Sequence, residues 1–154
     1  MTTRRFVAAL VVLVGVLTGM VVAQANPLIG KWTLNVAKSK GAFKSGTTIV
    51  EAAGDGIKMT VEMVGADGTK RNWSFTANYD GKDVPVTGDS PYGDTSALTR
   101  VDARTTRIAS KYQGKPTTVH TIVVSADGKT RTSTAKGTDK TGKPVDSVGF
   151  YEKQ

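Results

Sequence analysis

The chain has 154 residues, 38% of them hydrophobic and 6% aromatic, with no cysteine and a formal net charge of +8. That length suits one domain around one core, and the missing cysteine excludes a disulfide-held scaffold and any thiolate ligand set. The positive excess is scattered over the chain, so it reads as solubility with at most a weak attraction to anionic surfaces, and nucleic acid is not expected as a partner.

Residues 1–25 carry the three parts of a secretory signal peptide: Arg4 and Arg5, an apolar stretch over residues 6–23, and the small-residue triplet Ala23-Gln24-Ala25. The alternative is a retained anchor, because the stretch is near the ~18 residues that span a bilayer. Gly15, Thr18 and Gly19 weaken such a span, and the triplet has no use in an anchor. A signal helix cleaved after Ala25 is therefore expected, leaving residues 26–154 as the domain, with no membrane span. Loss of the leader's two arginines takes the charge from +8 to +6. The leader has no Cys for lipid attachment, and an exported protein, periplasmic or extracellular, is expected.

After a short lead-in with Pro27, residues 31–36 form the first expected strand, with Trp32, Leu34 and Val36 on one face. Residues 37–46 read as a polar connection with room for one helical turn. Strands follow at 47–52 and 57–64, where Ile57, Met59, Val61 and Met63 alternate with Lys58, Thr60 and Glu62. Residues 69–79 place Trp73, Phe75, Ala77 and Tyr79 on one face, which should be the core face. A fifth strand, 82–87, contains Pro85 and suits a weakly paired or bulged position. Residues 88–94 are the most loop-like of the domain and are expected at an open rim. Five more strands fall near 95–101, 105–112, 117–125, 130–138 and 145–153. They are richer in Thr, Ser and Lys, and the run from Thr130 to Lys136 is polar on both faces, as a water-filled interior would allow.

Asp55-Gly56, Asp67-Gly68, Asp80-Gly81 and Asp127-Gly128 separate these runs, with further breaks at Gly88, Gly93, Gly114 and Gly142. Asp-Gly between alternating runs is a type I′ hairpin signal, since both central residues need positive φ. The strands between them do not repeat one another, and no segment carries the acidic run of a calcium loop. The expected fold is all-β: a single antiparallel up-and-down meander of 8–10 strands, closed into a barrel because closure removes unpaired edges.

Gly30-Lys31-Trp32 at the head of the first strand resembles the Gly-x-Trp signature of the calycins: lipocalins, fatty-acid-binding proteins and avidins. The physical sense is a Gly that lets the chain pass close to the barrel end and a Trp that plugs it. The ten-strand count and the closing Phe150-Tyr151-Glu152-Lys153 are similar to the fatty-acid-binding branch. The opening of the domain, from Asn26 to Lys40, also resembles a group of small exported bacterial proteins. The resemblance implies a lipocalin-like barrel with a ligand in its lumen. The chain departs from the fatty-acid-binding branch at Gly149, where that branch has an Arg that joins the terminal Tyr on the ligand carboxylate, and residues 37–46 are too short for its capping helix pair.

The lumen candidates are Met59, Val61, Met63, Trp73, Phe75 and Tyr79, with Arg100, Tyr151 and Tyr112 as polar anchors for a head group. The same apolar six could equally pack a filled core. His120, the single histidine, has no thiolate beside it, and a structural or exposed role is expected. No nucleophile elbow, zinc motif or phosphate loop is present, and no metal or cofactor is expected. The expected function is binding of a small apolar or amphipathic ligand without catalysis. The alternatives are an envelope interaction module using residues 88–94 and an enzyme with a carboxylate site.

Overall fold

The computed structural model describes residues 25–154, so the expected signal helix lies outside the described residues. Where apolar and polar residues alternate, the chain pairs into eleven strands: β1 Gly30–Leu34, β2 Phe43–Ala53, β3 Gly56–Gly65, β4 Lys70–Asn78, β5 Asp80–Pro85, β6 Thr87–Gly88, β7 Thr95–Arg100, β8 Thr105–Tyr112, β9 Lys115–Val124, β10 Thr130–Thr138 and β11 Pro144–Lys153. All pairings are antiparallel, in the order β5-β7-β8-β9-β10-β11-β1-β2-β3-β4-β6.

The two ends of that order are successive pieces of one extended segment. β5 pairs with β7, and the Val86 N–H continues on that side to the Asp94 carbonyl. Then β6 changes partner and pairs Thr87 and Gly88 with Ser74 and Trp73 of β4. Residues 80–88 thus bridge both edges, and the meander is a nearly closed barrel. The expected fifth strand is split in two by this change of partner, beside Pro85, which explains eleven strands rather than ten.

Two other expectations are corrected. Residues 37–46 are only partly a connection: a single 3₁₀ turn, Val36–Lys38, is capped by the Asn35 side chain, and Phe43 to Gly46 already belong to β2. Gly46 does not interrupt the ladder, because a side chain there would occupy the space of the Met63 sulfur.

Three of the four Asp-Gly units, and the turn at Asp139-Lys140, act through the carboxylate rather than as type I′ pairs. Asp67, Asp80, Asp127 and Asp139 each accept the backbone N–H two residues on, at 2.8–3.1 Å. This is the Asx-turn mode, and the following Gly at 68, 81 or 128 supplies the positive φ. Asp80-Gly81 joins no hairpin, since β4 and β5 are not paired; it sits where the β5–β7 register shifts. The hairpin near Asp55 turns on Gly54-Asp55, with positive φ at Gly54 only, as a type II′ turn requires. The two-residue turn with positive φ at both positions is Gln113-Gly114, at 51° and 75°.

The core lies inside the barrel. Trp32, Leu28, Ile57, Leu98, Val50 and Val124 are fully buried and belong to one cluster. The Trp32 Nε1–H donates to the Leu28 carbonyl at 2.9 Å, so the lead-in segment folds back over the indole. Gly30, at φ 140°, is required here: a Cβ would lie 2.5 Å from Lys153 Cε, and it is the Lys153 side chain that crosses to the Trp32 ring.

Candidate functional site

The period of two turns one face of every strand inward, and above the packed base these faces enclose a cavity of about 120 Å³. One half of its wall is apolar: Met59, Val61 and Met63 of β3 and Trp73 and Phe75 of β4. The other half carries polar groups: Ser96, Ser110, His120, Arg131, Ser133, Ser147 and Tyr151, with Ile108 and Ile122 between them. The wall runs out to the exposed residues Val36, Lys40 and Gly41, so the cavity reaches the surface between the 3₁₀ turn and β11.

Of the sequence candidates, Met59, Val61, Met63, Trp73, Phe75 and Tyr151 line this cavity. Trp32 is fully buried at the base, beside Gly30. Three candidates lie elsewhere. Tyr79 stacks on the Arg100 guanidinium at 4.1 Å and accepts from Asn26 Nδ2 at 2.8 Å, so both side chains belong to the base end rather than the lumen. The reason is local: the β4 pattern of inward odd positions ends at Ala77, and Tyr79 follows the strand. Tyr112 abuts the Gln113-Gly114 turn and is not part of the cavity wall.

The polar group that sequence reasoning missed is Arg131. It stands directly opposite Tyr151 in the β10–β11 ladder and opposite Val124 in the β9–β10 ladder. Only 3% of it is exposed, and its Nε and Nη1 are buried without a hydrogen-bond partner. Its guanidinium carbon lies 4.4 Å from the Tyr151 ring centre and 5.2 Å from that of Trp32. Gly149 makes room for this arrangement, since a Cβ there would meet the Tyr151 ring at 2.7 Å. Arg131 of the neighbouring strand thus lies beside Tyr151, two residues beyond Gly149. One signal could have found it: Ala135 is the single apolar residue of β10, and Arg131 and Ser133 share its face by period two.

Electrostatics in the wall follow from burial. Loss of water pushes Arg131 down to about 10, which leaves it cationic at neutral pH. His120 is held at about 4, first by burial and then by the Arg131 charge, so it is neutral. His120 is partly accessible, and it lines the cavity. Burial raises the Tyr151 hydroxyl, against the opposing pull of Arg131. Among the described residues no Asp or Glu lines the cavity. Among the described residues no three His, Asp or Glu side chains are grouped to hold a metal ion.

In the segment expected as an open rim, residues 88–94, Gly88, Asp89 and Asp94 are exposed, while Ser90 and Gly93 are buried and Ser90 and Tyr92 line the cavity. Tyr92 meets Trp73 edge-on at 6.1 Å and His120 at 4.6 Å. Asp89 is bound by Arg71 at 2.7 Å and Lys140 at 3.0 Å; the Tyr92 carbonyl accepts from Thr117 Oγ1 at 2.6 Å, and the Pro91 carbonyl from the Lys140 N–H at 2.8 Å. Gly93 lies against the Lys111 backbone so closely that a Cβ would overlap its carbonyl. Gly93→Ala should therefore displace the loop and cost about 1–3 kcal/mol, as overpacking does. Urea unfolding checks this, with a change under 0.5 kcal/mol showing that the loop adjusts freely.

Comparison with known proteins adds no relative: no protein-family profile matches the chain, and no curated protein matches it in sequence.

Proposed function

We propose that this chain is an exported, non-catalytic binding protein that holds a small apolar or amphipathic molecule in the barrel lumen. The observation that carries this reading is the cavity wall itself, divided between an apolar face from β3 and β4 and a polar face from β7–β11. Such a division suits a guest with a hydrocarbon part and a polar end. Met59 and Met63 give the apolar face an adaptable surface. The nearly closed antiparallel meander is compatible with a calycin-like barrel, and export rests on the leader residues.

Two features weigh against the other readings. A carboxylate-based enzyme needs acids at its site, and the wall has none, while His120 is neutral and packed on Tyr92. An interaction module using residues 88–94 needs that loop free, and its Asp89 and Pro91 are tied to Arg71 and Lys140.

Titrating the purified protein with small aromatic and short-chain amphiphiles tests the reading. The expected result is a saturable change in Trp73 emission, isolated in a Trp32→Phe background. A flat titration across the whole series would falsify it.

A further inference from the structure

We propose that the lumen fills from the side, through a split between β1 and β2, and that the Met63 side chain is the gate in that split. This rests on the lumen-binding reading and adds the route by which a guest arrives.

The split follows from where the two strands part. Their ladder ends at Thr33 and Thr47. Beyond it residues 35–41 run along β11, while Phe43, Ser45 and Gly46 pair with β3. On the β11 side the Asn35 N–H donates to the Phe150 carbonyl, the Phe150 N–H donates to Ser39 Oγ, and Lys40 and Val148 exchange both backbone bonds, all at 2.8–2.9 Å. On the other side, none of the backbone hydrogen bonds of residues 35–41 goes to β2. Passage beside β11 has to break those bonds, whereas passage beside β2 has only to move side chains.

Three side chains stand in the way. Outside the split a groove of about 560 Å³ is bordered by Lys44, Ser45, Thr47 and Lys70. Leu34, Val36 and Met63 line both this groove and the lumen, so they form the partition between the two spaces. Leu34 belongs to the core cluster, and Val36 is β-branched and stiff at χ1. Met63 is unbranched and flexible, so it is the member of the partition that can swing. Its seat is Gly46, directly across the β2–β3 ladder, where a Cβ would overlap the Met63 sulfur. The missing side chain at 46 is what lets the thioether lie across the split. With Met63 seated there only 5% of it is exposed; turned away, it joins the groove to the lumen.

The chain has no cysteine, so single introduced thiols report access without background. Ser133→Cys places one in the lumen wall on β10, four strands from Met63 in the sheet order. Val124→Cys places one among the fully buried residues outside the lumen wall, where only general opening of the barrel exposes it. Both are labelled with methyl methanethiosulfonate, a small neutral reagent, and followed by mass spectrometry. Met63→Ala should raise the rate at Ser133→Cys about tenfold or more relative to that at Val124→Cys, the scale expected when a packed side chain no longer has to leave its seat. Gly46→Ala, which evicts the thioether, should raise the ratio in the same direction and have no effect once Met63 is alanine; it also carries the test if Met63→Ala folds poorly. Ser39→Ala, which loosens the β11 side, should leave the ratio unchanged. An equal rise at both thiols, or none at Ser133→Cys, overturns the gate. A Gly46→Ala effect that persists without Met63 also overturns it, as does a larger effect of Ser39→Ala than of Met63→Ala. Labelling needs no guest, so the two readings fail separately: a flat ligand titration beside gated labelling removes lumen binding, and ungated labelling beside saturable binding removes the gate alone.

Discussion

Trp32→Ala should lower the unfolding free energy by about 4 kcal/mol, in the range found when a large buried aromatic is truncated. Trp32 has no exposed surface, and it belongs to the same buried cluster as Leu28, Ile57, Leu98 and Val50. Three further losses accompany the cavity. The Leu28 carbonyl loses its donor, Arg131 loses one of its two aromatic neighbours, and the Lys153 ammonium, 5.2 Å from the ring, loses its partner face. Trp32→Phe separates these contributions: it restores much of the volume but not the N–H, and should cost about 1–2 kcal/mol. Urea unfolding followed by circular dichroism reads both values. If the alanine variant loses less than 1 kcal/mol, the base of the barrel is not held by this residue.

The fold was legible wherever one strand face is apolar and the other is not. In β3 and β4 the alternation of Met59, Val61, Met63, Trp73 and Phe75 with polar residues fixes which side chains point inward, and they do line the lumen. The same rule misleads at Tyr79, where the strand ends before the pattern does. It is nearly silent in β10, whose inward face is Arg131, Ser133 and Ala135 and whose outward face is threonine and lysine. A buried arginine is rare enough that period alone gives no reason to place it inside. The loop at residues 88–94 was illegible for a different reason. Gly, Pro, Ser and Asp announce a turn, but only the positions of Arg71, Lys140 and Thr117, distant in sequence, decide that it folds inward. Turn chemistry likewise identified the breaks but not their types, since Asp67 and Asp127 work through side-chain acceptance rather than left-handed backbone.

Stability should fall by up to about 3 kcal/mol as the pH drops from 6.5 to 4, and most of that loss should vanish in His120→Phe. The His120 imidazole is held at about 4, below the ordinary 6.5, because burial penalises the imidazolium and the charge of Arg131 repels it. Between those two values the unfolded chain binds a proton that the folded chain refuses, so unfolding gains as the pH falls. Above pH 6.5 both states are neutral and the contribution is fully present. A gap of this size converts at about 1.4 kcal/mol per pH unit. The aspartates act in a separate window: Asp67, Asp89, Asp102, Asp127 and Asp139 are all held below the ordinary 3.8 by hydrogen bonds and nearby cations. Their contribution is present above that value and is lost only at lower pH. Phenylalanine keeps the edge-on contact with Tyr92, 4.6 Å away in the wild type, and removes the titration. Urea midpoints at pH 7, 5.5 and 4.5 for both proteins decide the matter. Parallel slopes would show that His120 is open to bulk water rather than buried in the barrel wall.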